Sequence, residues 1–427
     1  MIDINLIREH PEIIINDLKK RGMQDKIPWF EELRRMDVDW RNLKQKVDDL
    51  RHSRNKFSQE IAQLKKKGED VKELMKKAAG IPKILAEQEE KKKKLEKEIR
   101  LRLMKLPNIL HKSVPIGETE EDNKVLRKIG KKPKFTFKIK SHVDIMEDLN
   151  IADIARAGKI SGARFWFLKG ELMLLDLALR KYGIDFMVKK GFIPLEPPFM
   201  MNRKAYEGVV DLADFEDVMY KIENEDLYMI ATSEHPLISM YMNEILNEEE
   251  LPIKLAGLST NFRKEAGSHG KDTKGIFRGH QFNKVEQIII CKPEDSWDLQ
   301  EELIKNAEEF FESLGLHFRT VSVCTGDMGT IAARKYDVET WMPAQGKYRE
   351  VVSCSNCTDY QARRLNIRYR TKEGNKIVHT INSTCVATSR ALVAILENYQ
   401  QKNGTVKIPK VLVSYMNGIK VIGKKEK

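Results

Sequence analysis

Side chains that could bind an anion, an ammonium group and a flat base are concentrated in residues 258–291. This stretch predicts two strands joined by a glycine-rich loop; the first strand ends at Glu265 and the second begins near His280. Because strand side chains alternate between faces, one face would carry Arg263 and Glu265. Another face would carry Phe282, Lys284 and Glu286. If both faces line one cleft, the cleft holds a fixed cation, carboxylates and an aromatic ring.

The loop between these strands combines glycine with basic residues, which suits coverage of phosphates; the residues are Gly267, Gly270, Gly275, Lys271, Lys274 and Arg278. A lone Arg-x-Glu on a strand is usually an ordinary ion pair. Here the order is Phe-Arg-x-Glu, a loop rich in Gly, Lys and Arg, then Arg-x-His-x-Phe-x-x-x-Glu. This pattern resembles motif 2 of the class II aminoacyl-tRNA synthetases, in the form found in the seryl-tRNA synthetase family.

Composition bounds the class of protein. The 427 residues can form one large core or two to three smaller ones. The formal net charge of +12 permits a polyanionic partner without requiring one. Five cysteines, an odd and sparse number, argue against a disulfide framework. With no secretory signal and no run of about 18 apolar residues, we expect a soluble cytoplasmic protein.

Residues 36–105 predict an antiparallel coiled-coil hairpin. Apolar residues spaced alternately by four and three form one seam over 36–64 and a second over 71–106. Gly80 and Pro82 interrupt the second seam, which predicts either a kink or a helix that begins near Pro82. The hairpin carries 21 Lys and Arg against 13 Asp and Glu. It is either a solvated spacer or dimerisation element, or an arm that binds a phosphate backbone.

The resemblance favours a hairpin that binds nucleic acid, because seryl-tRNA synthetases carry an N-terminal hairpin that holds the long variable arm of tRNA-Ser. It implies a tRNA-binding domain over 1–110, a polar linker over 111–135 and a catalytic domain over 136–427. The implied fold is α+β, with a six- to seven-stranded antiparallel sheet flanked by helices. The tail, 423–427, is expected to be disordered.

A predicted helix over 163–190, followed by a strand ending in proline, resembles motif 1. In class II synthetases motif 1 lies at the dimer interface, so the resemblance implies a homodimer. Thr232-Ser233-Glu234 is similar to the family's Thr-x-Glu, which helps to hold serine. The same residues could cap a helix, and both roles can hold together.

The resemblance also implies roles in the ATP site. Arg263 would contact the α-phosphate and the serine carboxylate, Glu265 the adenine end, and Glu286 the serine ammonium group. Phe282 would stack on adenine with Arg278 nearby. The other residues expected around ATP are Lys264, Gly279, His280, Gln281, Val351 and Val352.

Two later segments complete the implied site. The family places Glu350 and Ser353 beside ATP and Mg²⁺; since strict alternation would put them on opposite faces, a β-bulge or strand end is expected between them. Arg390, near the start of a helix, would reach the γ-phosphate, and Thr384 would contact serine. The expected catalytic residues are therefore Arg263, Glu350 and Arg390. Many family members have glycine where this chain has Ser383, Cys385 and Ser389.

Cys354-x-x-Cys357 could be half of a zinc site or a redox pair. No second CxxC occurs in the sequence, and His379 and Cys385 do not give a standard spacing. The segment is ordinary in the family without metal, so no zinc is expected.

The implied function is activation of L-serine with ATP to seryl-adenylate, followed by transfer to the 3′ end of tRNA-Ser, with tRNA-Sec an open question. Two alternatives are an amino-acid ligase acting on a carrier protein and a non-catalytic RNA-binding paralogue. Relatives of the first kind lack the basic hairpin. A protein of the second kind would be expected to lose Arg263, Glu286 or Arg390.

Overall fold

The computed structural model describes residues 1–210, 215–265 and 274–423, so predictions for Gly267, Gly270, Lys271 and 424–427 lie outside the described residues. The chain divides into two compact units: residues 2–106, and 107–427 together with Met1. No described helix is both long and apolar enough to cross a membrane.

The first unit is helical, and its helices are α1 (Ile4–Glu9), α2 (Pro11–Lys20), α3 (Ile27–Lys66), α4 (Lys72–Ala79) and α5 (Ile81–Lys105). Arg51 binds Glu89 and Arg102 binds Glu32, at 2.6 and 2.7 Å, so α3 and α5 run antiparallel. The coiled-coil hairpin is confirmed, although its first helix begins at Ile27, and 40 residues span about 60 Å. Of the two alternatives at Pro82, the structure has a helix that begins there.

The second unit is built on an eight-stranded sheet with the order β1-β10-β11-β12-β15-β9-β8-β4. The strands are β1 (Lys124–Ile129), β4 (Ile193–Leu195), β8 (Ile253–Phe262), β9 (Gln281–Cys291), β10 (Phe318–Ser322), β11 (Arg334–Met342), β12 (Lys347–Asn356) and β15 (His379–Ala387). All neighbours are antiparallel except β4, which is parallel to β8. The sheet therefore has more strands than the six to seven expected. Residues 124–129, which lie in the segment expected to be a linker, pair with β10 as an edge strand.

Short strands make up the smaller sheets: β2 (Ala152–Asp153), β3 (Phe167–Leu168), β5 (Met200–Met201), β6 (Tyr228–Met229), β7 (Ile245–Asn247), β13 (Arg368–Thr371), β14 (Gly374–Ile377), β16 (Val406–Lys407) and β17 (Val421–Ile422). The helices are α6 (His142–Asp148), α7 (Ile154–Ser161), α8 (Gly170–Lys189), α9 (Arg203–Tyr206), α10 (Phe215–Val218), α11 (Glu234–Ser239), α12 (Ser296–Ser313), α13 (Tyr360–Leu365) and α14 (Thr388–Asn398).

The long helices α8, α12 and α14 cover one face of the large sheet and enclose the main core, which includes Val285, Val338 and Val352. The helix predicted over 163–190 starts later, at Gly170, because Phe167 and Leu168 pair with Ala152 and Asp153. On the opposite face a second core covers part of β8 and β9 and includes Leu255, Ile288 and Ile290. The rest of that face carries polar side chains around a cavity.

Candidate active site

A cavity of about 510 Å³ lies on the open face of the sheet, against β9, β12, β15 and the start of α14. It gathers residues far apart in sequence. The predicted site residues that line it are Thr232, Glu234, Arg263, Glu265, Arg278, Gly279, Phe282, Glu286, Glu350, Val351, Ser353, Thr384 and Arg390. As strand alternation predicts, Phe282, Lys284 and Glu286 lie on one face of β9, and all three line the cavity.

The floor of the cavity holds a buried ion pair between Lys284 and Glu286. Thr232 donates its hydroxyl proton to the Glu286 carboxylate, and the Lys284 ammonium lies 2.9 Å from the Thr232 Oγ1. Thr384 is the cross-strand partner of Glu286 on β15. Burial lowers the pKa of Lys284, while Glu286 opposes that shift. The floor is therefore a polar, charge-compensated surface that could hydrogen-bond a small ligand.

Glu234, in the first turn of α11, also lines the cavity. Burial, with the nearby Glu286 charge, raises the pKa of Glu234 to about 7. The Gln361 amide donates to the Glu234 Oε1 at 2.8 Å, and the Thr380 hydroxyl holds Gln361 in turn at 2.6 Å. The Glu234 amide donates to the Thr232 hydroxyl at 3.2 Å, while Ser233, the N-cap residue of α11, makes no side-chain capping hydrogen bond.

Arg263 follows the end of β8, which stops at Phe262 rather than continuing to Glu265 as expected. Its Nε donates to the Ala231 carbonyl at 3.2 Å, and its guanidinium lies 5.2 Å from the centre of the Phe282 ring. Burial lowers the pKa of Arg263, an effect opposed by Glu265. An arginine remains charged despite such a shift, so the cavity contains a fixed cation next to an aromatic face.

The expected bulge separates Glu350 from Ser353. Val352 pairs with Val338 and Glu350 with Glu339, which leaves Val351 as the additional residue on β12. Both Glu350 and Ser353 consequently face the cavity. This prediction from strand geometry is confirmed.

Arg390 lies at the start of α14, 3.1 Å from the Glu350 carboxylate, and donates to the Glu350 carbonyl at 3.0 Å. Burial alone would raise the pKa of Glu350, but Arg390, Lys335 and Arg263 together hold it at about 2. Lys335 lines the same cavity and pairs with Asp337 at 3.2 Å. Glu350 is therefore ionised and surrounded by cations.

Five predicted site residues do not line the cavity: Ser233, Lys264, His280, Gln281 and Val352. The hydroxyl of Ser233 donates to the Gly257 carbonyl, and Gln281 and Val352 follow alternation to the other side of their strands. The His280 ring contacts the Arg263 carbonyl at 2.9 Å and stacks on Phe165, which indicates a structural role.

The opposite end of the cavity is formed by Glu265 and Arg278, which pair at 2.8 Å. Residues 164–166 support this end of the cavity. The Arg164 guanidinium donates to the Glu265 carbonyl at 2.9 Å. The His280 amide donates to the Arg164 carbonyl at 3.2 Å. A Cβ placed on Gly279 would lie 2.1 Å from the Trp166 ring. Glycine is required here for the close approach of these two segments.

Gly279→Ala is therefore expected to destabilise the protein by about 1–3 kcal/mol and to raise the KM for a ligand at this end of the cavity. Unfolding curves and steady-state kinetics measure the two effects. Gly329→Ala is the matched control, because Gly329 also lines the cavity but an added Cβ there meets nothing within 4 Å. Equal effects of both substitutions would contradict the role given to the Trp166 contact.

The two cysteines of the CxxC segment are buried free thiols. The Cys354 thiol donates to the Gln300 carbonyl at 3.8 Å, and the Cys357 sulfur accepts from the Asn382 amide at 3.7 Å. Within residues 1–210, 215–265 and 274–423, no group of three His, Cys, Asp or Glu side chains is placed to hold a metal ion.

Comparison with known proteins gives the family. Residues 1–110 match the seryl-tRNA synthetase N-terminal domain, and residues 218–399 match the tRNA synthetase class II core domain (G, H, P, S and T). The serine–tRNA ligase of Methanospirillum hungatei is 53% identical over 420 residues, which cover 98% of this chain and 99% of the relative. The chain belongs to the seryl-tRNA synthetase family. Membership makes it a ligase of the class II type.

Solved seryl-tRNA synthetases share its fold over the full length. The Pyrococcus horikoshii enzyme complexed with ATP is 50% identical, with a TM-score of 0.95 and complete coverage of both chains. The cytoplasmic serine–tRNA ligase of Naegleria fowleri in complex with AMP is 38% identical, with a TM-score of 0.88 and coverage of 100% and 99%. The α+β fold expected from the sequence is confirmed.

The sequence assigned no role to three polar residues that line this seryl-tRNA synthetase cavity, Lys284, Lys335 and Asn382, or to Gln361, which holds Glu234. Alternation placed Lys284 on the correct face of β9, but its ion pair with Glu286 was not predicted. Gln361 gave no usable signal, because its partner Glu234 lies 127 positions away.

Proposed function

We propose that this enzyme activates L-serine with ATP and transfers the seryl group to the 3′ end of tRNA-Ser. The observation that carries the proposal is one cavity in which Arg263 faces the Glu286 and Glu234 carboxylates. An amino acid has one carboxylate and one ammonium group, and these residues provide a partner for each. The 5.2 Å approach of Arg263 to Phe282 puts a cation beside an aromatic plate that suits a purine.

In the first step, a serine carboxylate oxygen attacks the α-phosphorus of ATP and pyrophosphate leaves. No protein side chain acts as a nucleophile. Arg263 binds both the attacking carboxylate and the α-phosphate, which brings the reacting atoms together and neutralises charge in the transition state. Arg390, at the other end of the phosphates, stabilises the leaving pyrophosphate. In the second step, a terminal ribose hydroxyl of the tRNA attacks the seryl carbonyl and AMP leaves.

Serine selectivity rests on the cavity floor. Glu286 accepts hydrogen bonds from the ammonium group and Thr384, opposite it across the strands, lies beside the serine hydroxyl. A site built to hydrogen-bond a hydroxyl strongly rejects an analogue that lacks it, so alanine is excluded. Threonine has the hydroxyl and is excluded by the size of the floor.

Glu350 and Ser353 fit Mg²⁺, which prefers oxygen ligands and retains several water molecules. The bulge at Val351 turns both side chains to the cavity, and the low pKa of Glu350 keeps its carboxylate ionised. The ion, when bound, neutralises phosphate charge.

The pKa of about 7 for Glu234 gives a pH dependence. This carboxyl is protonated below pH 7 and ionised above it, so attraction for the serine ammonium increases as the pH rises through 7. We expect kcat/KM for serine to rise between pH 6 and 8, and Glu234→Gln to flatten this profile. Glu223→Gln, at an exposed carboxylate, is the control. An unchanged profile in Glu234→Gln would refute the assignment.

A homodimer is supported by an apolar surface on α8 and the edge strand β4. Met173, Leu177 and Val188 on α8 are 42%, 40% and 47% exposed, and Ile193 is 57% exposed. Leu177→Glu is expected to convert a dimer to monomers in sedimentation equilibrium. Ile116→Glu, at a site 68% exposed elsewhere on this unit, is expected to leave the mass unchanged. A monomeric wild-type chain would overturn the proposal.

The helical hairpin supports the choice of tRNA as acceptor, because its excess of eight positive charges suits the phosphates of the variable arm. Transfer assays separate this from the alternatives. With ATP and serine, we expect an ester to form on tRNA-Ser and no serine to be transferred to a carrier protein. Transfer to the carrier protein would favour the carrier-protein ligase. RNA binding without transfer would favour the RNA-binding paralogue.

The free buried cysteines accord with a cytoplasmic location.

A further inference from the structure

A row of register partners crosses the open face of the sheet, from the cavity to the edge strand β1. Glu350 on β12 pairs with Glu339 on β11, Glu339 with Arg319 on β10, and Arg319 with Lys128 on β1. Direct partners share a face, so all four side chains lie on the face that bears the cavity. Neighbouring strands are about 4.8 Å apart; three steps put the Lys128 backbone about 14 Å from that of Glu350.

The outer end of this row combines cations with aromatic rings. The Lys132 ammonium lies 3.3 Å from the centre of the Trp341 ring and 5.0 Å from that of Tyr348. The Arg319 guanidinium lies 4.6 Å from the Tyr348 ring. Trp341 and Tyr348 are half-buried and pair across β11 and β12. We name Lys128, Lys132, Arg319, Trp341 and Tyr348 the edge surface.

Two residues of the edge surface, Lys128 and Lys132, belong to a strongly basic segment of the second unit. Residues 124–140 contain eight Lys and Arg and no Asp or Glu. Arg127 pairs with Glu308 and Lys140 with Asp148, both at 2.5 Å. In the part of the chain that the structure describes, the exposed Lys128 makes no ion pair. Its charge is available to a partner.

The carboxylate in the middle of the row does not oppose an anion. Glu339 is only 12% exposed and is ion-paired with Arg319. Of the basic residues on β1, Lys128 shares the cavity face with the aromatic pair, whereas Lys124 and Arg127 lie on the helix-covered face. Basic side chains beside aromatic rings are typical of surfaces that bind single-stranded RNA, where phosphates contact cations and bases stack on aromatic side chains.

We propose that the edge surface binds the single-stranded 3′ end of the substrate tRNA as it enters the cavity. The inference rests on the proposed function, which puts the terminal ribose in that cavity. The distance of about 14 Å from Glu350 to Lys128, three strand spacings, is within reach of the last few nucleotides of a single strand. The site lies on the catalytic unit and is separate from the phosphate contacts of the helical hairpin.

The test compares Lys128→Met and Lys132→Met, singly and together, with Lys124→Met. Methionine retains an unbranched apolar stem without the charge. Lys124 is the matched control, since it is exposed on the same strand but pairs with Ser322, whose side chain lies on the helix-covered face. The double variant is expected to raise the KM for tRNA about tenfold and to reduce the salt dependence of tRNA binding by about one unit of log–log slope per lysine. Lys124→Met is expected to change neither.

Serine-dependent ATP–pyrophosphate exchange, which needs no tRNA, is expected to be unchanged in all variants. Removing the last four nucleotides of the tRNA is expected to abolish the difference in affinity between wild type and the double variant. An unchanged KM in the folded double variant, or an equal loss with truncated tRNA, overturns the proposal. Impaired exchange would assign the surface to ATP instead. Absence of exchange in the wild type would overturn the proposed function itself.

Discussion

Arg263→Lys is expected to lower serine-dependent ATP–pyrophosphate exchange about 100- to 1,000-fold, the usual effect of removing one preorganised donor to a developing charge. Lysine keeps the positive charge but not the planar fork that can bind a carboxylate and a phosphate at the same time. The loss is expected mainly in kcat, because the contact with the α-phosphate strengthens in the transition state. Exchange rates at saturating ATP and serine measure it.

Arg278→Lys is the matched control for this experiment. Arg278 lines the same cavity but is 34% exposed and pairs with Glu265, so its replacement is expected to raise the KM for ATP with a smaller loss of kcat. The unfolding midpoint of each variant separates a catalytic effect from a loss of structure. Exchange within threefold of the wild-type rate in Arg263→Lys would remove Arg263 from the proposed mechanism.

Lys284→Met is expected to lower the free energy of unfolding by about 3–5 kcal/mol, because it leaves the Glu286 carboxylate buried without its cation. The two side chains are only 7% and 3% exposed, so the carboxylate left behind is poorly solvated. Exchange activity is expected to fall as well, since Glu286 and Thr232 would lose the contacts that fix their positions. Chemical denaturation measures the stability, at one fixed protein concentration because dissociation of the proposed homodimer would contribute to it.

The double variant Lys284→Met/Glu286→Gln provides the control. With both charges removed, most of the lost stability is expected to return, while exchange stays low because the proposed ammonium partner is absent. This difference separates the structural from the functional role of the pair. A Lys284→Met variant as stable as the wild type would show that the ion pair contributes nothing to the fold.

Features set by neighbouring residues could be predicted from the sequence. The heptad seams gave the two arms of the hairpin, and alternation put Phe282, Lys284 and Glu286 on one face of β9. The same rule, applied to Glu350 and Ser353, required a bulge, and the structure has one at Val351. In each case a local period determines which side of an element a residue occupies.

Features set by distant contacts could not be predicted in this way. Residues 124–129 are half basic and half apolar without regular alternation, and five of the six are exposed, as is common in an edge strand. No local pattern therefore separated them from the polar segment around them. The start of α8 moves to Gly170 because Phe167 and Leu168 pair with a strand whose presence no local pattern indicates. Ser233 lies between two cavity residues in the sequence, but its hydroxyl donates to the Gly257 carbonyl of β8 instead of facing the cavity.

Amino-acid-dependent ATP–pyrophosphate exchange, measured for each of the twenty amino acids without tRNA, tests the central claim most directly. The account predicts exchange with serine, none with alanine, and a strongly reduced rate with threonine. Exchange with glycine or alanine in place of serine would contradict the serine selectivity assigned to Glu286 and Thr384. A folded enzyme that shows no exchange with any amino acid would contradict the proposed chemistry altogether.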